Sequence, residues 1–338
     1  IRERHGASAI NSLIIMAAPL RVGLIGLGRF GSHYARLLQK VEGVSFYAVA
    51  ARDEKSFTAA SVPAETKRYT DGADLIGDPN VDCVIIATPT TTHAALSIAA
   101  LAADKHVLVE KPMTATLAEA RAVATAVKKS GHTFMVGHQY LYNDYIRELK
   151  RQMDAGTLGA IAYVFAEHFY PGPVRSDIGC FWETATHEIA MLDYFFGRPA
   201  ASEIIGTRID IDKRGHEDYA SIAFTLSNGA RATIVNSWIA PKKTRRLIIA
   251  GDKGAVLFDD LESYEKLKFT PAPDVNMNRD AGTALSLFRS DTEPLFNEFT
   301  HFIHVARTGT PPLTDITHGL YVTEMLNAIY QAVPLREN

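Results

Sequence analysis

The sequence has few cysteines, no long apolar run and no excess of basic residues, and each absence excludes a class of protein. Its two cysteines, Cys83 and Cys180, form neither a CxxC pair nor a zinc-ligand spacing, which favours a reduced cytoplasmic protein without a structural metal. The longest run of small apolar residues covers only Ala94 to Ala103, whereas a membrane-spanning helix needs about 20 apolar residues. Lys and Arg number 35 against 38 Asp and Glu, a balance that argues against a nucleic-acid-binding protein.

What is present is typical of a soluble globular protein with two domains. The 338 residues are 47% hydrophobic and 22% charged, and a typical domain has about 100–200 residues. Met16 is followed by Ala-Ala-Pro and has the form of a natural start. Residues 1–15 are therefore interpreted as an upstream extension and left out of the fold prediction.

Residues 16–138 alternate short apolar runs with helical segments. Strands that are buried on both faces read as nearly continuous apolar runs, and five such runs are present. The predicted strands are Val22–Ile25, Val44–Ala50, Val81–Ala87, His106–Val109 and Phe134–Val136, and the predicted helices are Arg29–Gln39, Thr92–Ala103 and Leu117–Lys129. This order predicts an α/β domain with a doubly wound parallel sheet, the Rossmann arrangement.

Residues 139–338 have a different pattern, with longer strands separated by turn signals such as Ser227-Asn228-Gly229. The predicted helices are Asn143–Met153 and Thr186–Phe196, and the predicted strands are Ala160–Tyr170, Ala201–Asp212, Tyr219–Leu226, Ala230–Trp238, Arg245–Ala250 and Ala255–Asp259. Two further helices are expected to close the chain, the last with a buried stripe of Val322, Met325, Leu326 and Ile329. The pattern predicts an α+β domain with a mostly antiparallel sheet.

A glycine-rich turn follows the first predicted strand and opens a helix. In Gly26-Leu27-Gly28-Arg29-Phe30-Gly31, the first glycine permits the tight turn, the second lets the backbone approach a pyrophosphate, and the third allows close helix–strand packing. The free N–H groups of the helix would face the diphosphate. Because this motif lies in a strand–turn–helix context, it predicts dinucleotide binding by Gly26, Gly28, Arg29, Phe30 and Gly31.

The end of the second strand indicates which dinucleotide is bound. An NAD site normally places Asp or Glu there to bind the ribose hydroxyls, but Ala51 stands at that place and Arg52 follows it. A guanidinium can bind a 2′-phosphate, so NADP is favoured, with NAD as the alternative. In the competing interpretation, Arg52 is a solvated loop residue and Asp53 caps the next helix.

Three titratable residues follow in two further motifs. Lys111, in Glu110-Lys111-Pro112, comes directly after a predicted strand, where ligands of doubly wound sheets bind. Glu183 and His187 are four residues apart, so they share one helix face if the segment is helical. Ile189, Leu192 and Phe196 are then expected to form the opposite, core-facing stripe. Taken singly, each residue could instead be a solvated or structural side chain; behind a dinucleotide motif the combination favours catalysis.

These motifs, together with Ala87-Thr88-Pro89 and the following His93, resemble the glucose–fructose oxidoreductase/inositol dehydrogenase/MocA family over Leu20 to about Ala332. The family motif usually begins with Asp where this chain has Glu183. The resemblance implies a dinucleotide-binding domain at 16–138 and a substrate-binding and oligomerisation domain at 139–338. It also implies that the protein is a homodimer or a homotetramer.

The resemblance further implies hydride transfer between nicotinamide and a secondary hydroxyl or ketone. His187 would be the general base, Lys111 would stabilise the substrate oxygen or itself be the base, and Glu183 would orient the substrate or Lys111. The other cofactor contacts would come from Arg52, Thr88, Pro89, His93, Glu110, Lys111 and Gln139. The predicted substrate-lining residues are His168, Tyr170, Arg175 and Trp182.

The C-terminal half resembles the branch that oxidises UDP-linked N-acetylated sugar uronates. That resemblance rests on Trp182, Ser237-Trp238, Pro241-x-Lys243-x-x-Arg246, Asp259-Asp260, Glu265-Lys266 and Pro312-Leu313-Thr314-Asp315. Lys243, Arg245 and Arg246 form a charge cluster for an anionic substrate, for a neighbouring subunit or for solvent alone. A sugar or sugar nucleotide is therefore the expected substrate. The alternatives are free polyols, inositols or trans-diols and, in another class, a non-catalytic cofactor-sensing regulator, which typically lacks the Lys and His that this chain retains.

Overall fold

A computed structural model describes residues 18–272 and 285–337, and these form two compact units. The predicted start at Met16 and the extension 1–15 lie outside the described residues. The first unit consists of the described residues up to Thr114 together with Ala118–Gly137 and Glu298–Ile316. The second consists of Ala115–Leu117, His138–Asn297 and the described residues from Thr317 onward. The division of roles between 16–138 and 139–338 stays a prediction.

The first unit contains a six-stranded parallel sheet with the strand order β3-β2-β1-β4-β5-β6. Its strands are β1 (Leu20–Ile25), β2 (Val44–Ala50), β3 (Lys67–Tyr69), β4 (Cys83–Ile86), β5 (His106–Glu110) and β6 (Phe134–Gly137). The helices that follow these strands are α1 (Arg29–Leu38), α2 (Glu54–Ala59), α3 (Gly72–Ile76), α4 (His93–Ala102) and α5 (Leu117–Ser130). All four residues of β4 are buried, as expected for a central parallel strand. The predicted parallel α/β fold is confirmed.

The first unit is completed by a late part of the chain. The Thr314 hydroxyl donates to the carbonyl of Val136 at 2.7 Å, and the Val136 N–H donates to the carbonyl of Thr314 at 2.9 Å. The Arg307 guanidinium donates to the carbonyl of Gly43 at 2.7 Å. Residues 298–316 therefore bond to the end of β6 and to the start of β2.

The second unit contains a nine-stranded sheet with the order β14-β13-β12-β11-β7-β10-β9-β8-β15. Its strands are β7 (Ile161–Pro171), β8 (Ala201–Asp210), β9 (Tyr219–Leu226), β10 (Arg231–Ser237), β11 (Ile239–Gly251), β12 (Gly254–Asp259), β13 (Leu267–Pro271), β14 (Leu285–Ser286) and β15 (Leu335–Glu337). The pairs β7–β10 and β8–β15 are parallel and the others are antiparallel, so the predicted mostly antiparallel sheet is confirmed.

The remaining helices are α6 (Asp144–Asp154), α7 (Cys180–Phe196), α8 (Pro294–Thr308) and α9 (Ile316–Ala332). The four residues of the stripe predicted for the last helix are all buried in α9. Helix α7 begins at Cys180, six residues before the predicted start. It is buried on most of its surface, and of the predicted stripe Ile189 and Leu192 are buried while Phe196 is half-buried. No helix in the described ranges is long and apolar enough to cross a membrane.

Candidate functional site

The glycine-rich turn has the geometry that its sequence predicts. Gly26 adopts φ +96°, and a Cβ there would lie 2.5 Å from the carbonyl oxygen of Ala87. A Cβ on Gly31 would overlap the carbonyl oxygen of Gly26, so only glycine allows α1 to pack this closely on the turn. A Cβ on Gly28 would meet no atom within 4 Å, which leaves open space beside the backbone. Each of the three glycines thus has its own physical reason.

The N-terminus of α1 lies at this open space. Gly28 is the N-cap residue, no side chain caps the described helix end, and its first turn contains no acidic residue. Arg29 is exposed and Phe30 is half-buried in that turn. Backbone N–H groups and the positive end of the helix dipole therefore face a gap that a pyrophosphate fits. The residues present fit the diphosphate of a nicotinamide dinucleotide.

The end of β2 places Arg52 and Asp53 in different roles. Asp53 is the N-cap of α2, and its carboxylate accepts from the Ser56 N–H at 2.9 Å. The Ala51 N–H donates to the carbonyl of Tyr69, which fixes the chain just before Arg52. Arg52 is exposed, and it is the basic residue at this strand end.

His93 connects the chain segments after β4 and β5. Its Nδ1 lies 2.8 Å from the carbonyl oxygen of Pro112, and its Nε2 lies 2.9 Å from that of Thr88. The Thr88 and Thr92 hydroxyls lie 2.7 Å apart, next to Pro89. The buried His93 ring therefore connects the two segments and fixes them relative to each other.

Lys111 lies beside Phe30. It is half-buried, and its Nζ is 6.0 Å from the centroid of the Phe30 ring. Glu110 is buried, and its Oε1 accepts from the Tyr34 hydroxyl at 2.9 Å. The first unit therefore brings the glycine turn and Lys111 together through Phe30, while Glu110 is turned into the core.

Glu217 anchors the N-terminus of α7. Its Oε1 accepts from the Phe181 N–H at 3.0 Å, and its backbone carbonyl accepts from the Cys180 N–H at 2.9 Å. The carboxylate is fully buried and pairs with Arg208 at 2.7 Å. A negative charge at the positive end of a helix stabilises it, so a residue from another strand connection supplies the cap of α7.

His187 lies on α7 between two aromatic rings. Its ring centroid is 4.9 Å from that of Tyr140, edge to face, and 6.0 Å from that of His168 in a stacked pair. The Nδ1 of His168 lies 3.2 Å from Oε1 of Glu188. These contacts hold the buried imidazole of His187 in one orientation.

Glu183 lies one helical turn before His187 and bonds to Arg175. The Arg175 guanidinium donates to Glu183 at 3.1 Å and to Asp177 at 2.7 Å. It holds the pKa of the Asp177 carboxyl below its ordinary value. Burial raises the pKa of Tyr170, which the negative charge of Glu183 raises further. Of the predicted substrate residues, His168, Tyr170 and Arg175 therefore lie around the Glu183–His187 face.

Trp182 lies elsewhere. Its side chain is 6% exposed, and its ring centroid is 5.1 Å from that of Tyr330, edge to face. The backbone N–H of Trp182 donates to the Tyr330 hydroxyl at 3.1 Å. The structure therefore places Trp182 in the packing of α7 against α9.

A buried chain of hydrogen bonds connects α7 to His138 and His318 within the second unit. The Thr186 hydroxyl lies 3.2 Å from Nε2 of His138, whose Nδ1 lies 2.7 Å from Nε2 of His318. The Nδ1 of His318 lies 2.5 Å from a carboxylate oxygen of Asp193. If His318 donates to Asp193, His138 donates to His318 and accepts from Thr186, so one set of neutral tautomers satisfies every contact.

A cavity of about 370 Å³ lies beside Tyr140, within the second unit. Asp260 accepts from the Tyr140 hydroxyl at 3.1 Å, from Arg245 at 3.3 Å and from Lys266 at 3.2 Å. The cavity lining consists of Gln139, Tyr140, Asn143, Tyr145, Arg245, Asp260, Ser263, Lys266, Ser290, Asp291, Thr292 and Pro294. It offers hydroxyls, amides and charges of both signs, and it includes the predicted residue Gln139.

Tyr140 is a site residue that no motif in the sequence indicates. Its direct succession to Gln139 was the available signal, but nothing in the spacing connects it to Asp260 or His187. Of the basic cluster, Arg245 lines the cavity, whereas Arg246 pairs with Asp259 at 2.7 Å. In the described ranges, no group of three or more His, Cys, Asp or Glu side chains could hold a metal ion.

The parallel sheet and its glycine turn define the class of protein, a Rossmann fold that binds a dinucleotide. The chain belongs to the GFO/IDH/MocA oxidoreductase family. The model of the family's NAD-binding Rossmann fold matches residues 20–138, and the model of its C-terminal domain matches residues 146–257. The resemblance seen in the motifs is confirmed.

Three known proteins are similar to this chain along most of its length. The crystal structure of a candidate oxidoreductase from Magnetospirillum magnetotacticum has 31% sequence identity and a TM-score of 0.80, covering 92% of this chain and 99% of that chain. Myo-inositol 2-dehydrogenase of Thermotoga maritima is 27% identical, covering 89% of this chain and 92% of the relative. The WlbA dehydrogenase from Bordetella pertussis, crystallised with NADH and UDP-GlcNAcA, has 21% identity and a TM-score of 0.78 over 94% of this chain and 96% of its own, which shows a shared fold.

Proposed function

We propose that the protein oxidises a secondary hydroxyl on a polyhydroxylated ring, or reduces the corresponding ketone, with NADP as its coenzyme. The observation that carries the proposal is the contact of His187 with Tyr140, a residue that lines the polar cavity. The substrate is then a sugar or sugar nucleotide. Myo-inositol is the second candidate, because a relative that is similar along most of its length is named a myo-inositol 2-dehydrogenase.

His187 is proposed as the general base. An imidazole is the side chain best suited to accept and return a hydroxyl proton near neutral pH. The stacked His168, with Glu188 beside it, holds the ring in place. Glu183, held by Arg175, is proposed to orient the substrate.

Lys111 is proposed to donate a hydrogen bond to the substrate oxygen and to stabilise its developing negative charge. The ammonium lies near the Phe30 ring, beside the turn that fits the diphosphate. When bound, the nicotinamide supplies the hydride chemistry, and the protein supplies position and charge. Thr88, Pro89, His93, Glu110 and Gln139 stay predicted cofactor contacts. His93 and Glu110 are buried, and their contacts with Pro112, Thr88 and Tyr34 also fix the surrounding chain.

The cavity supports a polyhydroxylated substrate. Tyr145, Ser263 and Ser290 bring hydroxyls to its lining, and Asn143 brings an amide. Asp260 already bonds to both Arg245 and Lys266, so much of their positive charge is neutralised. A ring with several hydroxyls can satisfy such a mixed set of donors and acceptors.

NADP is proposed because Asp53 is engaged as a helix cap, while the exposed Arg52 stands at the end of β2. A guanidinium there would bind a 2′-phosphate with paired hydrogen bonds. The NAD alternative would require another group to bind the ribose hydroxyls.

A homodimer or homotetramer is proposed from exposed apolar side chains on the second sheet. Tyr163, Ile205 and Ile239 are 45%, 59% and 41% exposed. Light scattering of the full chain tests this assembly. A cytoplasmic location is proposed because Cys83 and Cys180 are free thiols, as expected in a reducing compartment.

The experiment that tests the function is a substrate panel read by nicotinamide absorbance. Myo-inositol, free aldoses and UDP-linked sugar uronates are compared with NADP and NAD. On the accepted substrate, His187→Asn and Lys111→Met are each expected to lower kcat by about a hundredfold or more. The matched controls are His132→Asn and Lys129→Met, because neither residue belongs to the motifs or lines the cavity. A loss of less than about tenfold in the two site variants would contradict the assigned roles.

A further inference from the structure

Two carboxyl groups share one hydroxyl in the core of the first unit. The Tyr34 oxygen lies 2.9 Å from Oε1 of Glu110 and 2.9 Å from Oε1 of Glu298. Tyr34 comes from α1, Glu110 ends β5 and Glu298 lies on α8, so three elements meet at this point. Tyr34 and Glu298 are fully buried, and Glu110 is 5% exposed.

The number of protons in this cluster follows from its geometry. A phenol has one proton to donate, so it satisfies one carboxylate and would place its lone pairs against a second. Two ionised carboxylates would also repel each other in a medium of low dielectric constant. One additional proton removes both problems, because a protonated carboxyl can donate to the Tyr34 oxygen while Tyr34 donates to the other carboxylate.

The surroundings decide which carboxyl holds that proton. The Oε2 of Glu298 is buried and has no hydrogen-bond partner among the described residues. The Oε2 of Glu110 accepts a hydrogen bond from the backbone N–H of Lys111, with 3.2 Å between oxygen and nitrogen. An ionised carboxylate needs such donors, so the charge belongs on Glu110.

The electrostatics agree with this assignment. Burial raises the pKa of Glu298 well above its ordinary value, and the negative charge of Glu110 raises it further. Burial likewise raises the pKa of Tyr34, with Glu110 and Glu298 adding to the effect. Within the part of the chain that the structure describes, the titratable groups that act on Glu298 are those of Glu110 and Tyr34.

We propose that Glu298 holds a proton in the working enzyme and, through Tyr34, fixes the Glu110 carboxylate to which the backbone N–H of Lys111 donates. Glu298 and Tyr34 are thus positioning residues for Lys111. The part of the proposal that concerns Lys111 rests on the proposed function. The protonation of Glu298 stands on the described contacts alone.

Infrared spectroscopy of the full-length enzyme tests the proton directly. At neutral pH the wild type is expected to show the C=O stretch of a protonated carboxylic acid, which shifts in D2O. The band should vanish in Glu298→Gln and persist in the control Glu65→Gln, at an exposed glutamate. A wild-type spectrum without the band overturns the proposal, because both carboxyls would then be ionised.

Kinetics test the positioning role. The side-chain amide introduced by Glu298→Gln can donate to Tyr34 as the protonated acid does, so this variant should keep kcat within about threefold and keep its pH profile. Tyr34→Phe removes the bridge and should lower kcat about tenfold or more, with the Kd for NADPH changed by less than about threefold. Equal loss of kcat in both variants overturns the proposal. The band is recorded without substrate, so a failed function, seen as an active Lys111→Met, is distinguishable from a missing proton.

Discussion

Arg52, at the end of β2, is the residue on which the proposed preference for NADP depends. At the end of β2, Asp53 caps α2 and Arg52 stands exposed. We expect Arg52→Ala to weaken NADPH binding about tenfold or more and to leave NADH binding nearly unchanged, because only NADPH carries the 2′-phosphate. Fluorescence titration with both coenzymes measures the two constants.

The control for this prediction is Lys40→Ala, which removes an exposed cation away from the end of β2. It should leave the ratio of the two dissociation constants as in the wild type. Tighter binding of NADH than of NADPH by the wild type would contradict the NADP assignment.

The backbone of the turn requires glycine at position 31. In Gly31→Ala the new Cβ would overlap the Gly26 carbonyl oxygen, so the turn or the start of α1 must move. We expect the free energy of unfolding to fall by about 1–3 kcal/mol and coenzyme binding to weaken with it. Urea denaturation measures the first effect and coenzyme titration the second.

Gly77→Ala is the matched control, because Gly77 has φ −71° and a Cβ there meets its nearest atom at 3.5 Å. It should be tolerated. If Gly31→Ala were tolerated equally well, close packing would not be the reason for glycine at that position.

The sequence predicted these glycine roles because each depends on local backbone conformation. It did not predict the Tyr140–Asp260 contact, since 120 residues separate the two and no local spacing connects them. Nor did it predict that Glu110 bonds to Tyr34, because a carboxylate after a strand looks the same from the sequence whether it faces a ligand or the core.

Among the helices and strands, α7 shows most clearly that local sequence patterns do not always give the bounds of an element. The long strands β2 and β9 have the bounds that their apolar runs predict. The start of α7 was placed six residues too late, because Gly179 gives no side-chain cap and the capping carboxylate belongs to the distant Glu217. The sequence does not predict the short strands β3 and β14, because a strand of two or three residues is too short to show an alternating pattern.

The cap of α7 gives a prediction about the whole helix. Glu217→Gln leaves Arg208 buried without its counter-charge and weakens the N-terminal anchor. We expect the free energy of unfolding to fall by about 3–5 kcal/mol, and kcat to fall because α7 carries Glu183 and His187. Urea denaturation and steady-state kinetics measure the two effects.

Glu203→Gln is the matched control, because Glu203 pairs with Arg231 at the surface. Its stability should stay near that of the wild type. Wild-type stability in Glu217→Gln would show that the buried pair does not hold the helix.

The stability of the whole protein should depend on pH through Glu298. Its pKa is raised in the folded protein, so its contribution is fully present below the unfolded pKa of about 4.3 and is lost as pH rises toward the folded value. Glu298→Gln does not lose stability in this way, because the glutamine side chain does not ionise. We expect the variant to gain stability relative to the wild type between pH 5 and 8, by at most about 1.4 kcal/mol per pH unit.

Chemical denaturation of both proteins across this range measures the difference. Asp78 acts in the opposite direction, because the Lys67 ammonium holds the pKa of that carboxyl well below its ordinary value. Its contribution is the same in both proteins, so it cancels in the comparison. A pH-independent difference between variant and wild type would show that Glu298 ionises with an ordinary pKa.

The return of the chain to the first unit has a consequence for biosynthesis. The contacts of Glu298 with Tyr34, of Arg307 with Gly43 and of Thr314 with Val136 join residues far apart in translation order. The first unit therefore stays incomplete on the ribosome until most of the second unit has been synthesised. A nascent chain stopped after β6 would leave the Tyr34 hydroxyl and the Gly43 carbonyl without these late contacts, which gives ribosome-associated chaperones an interval in which to act.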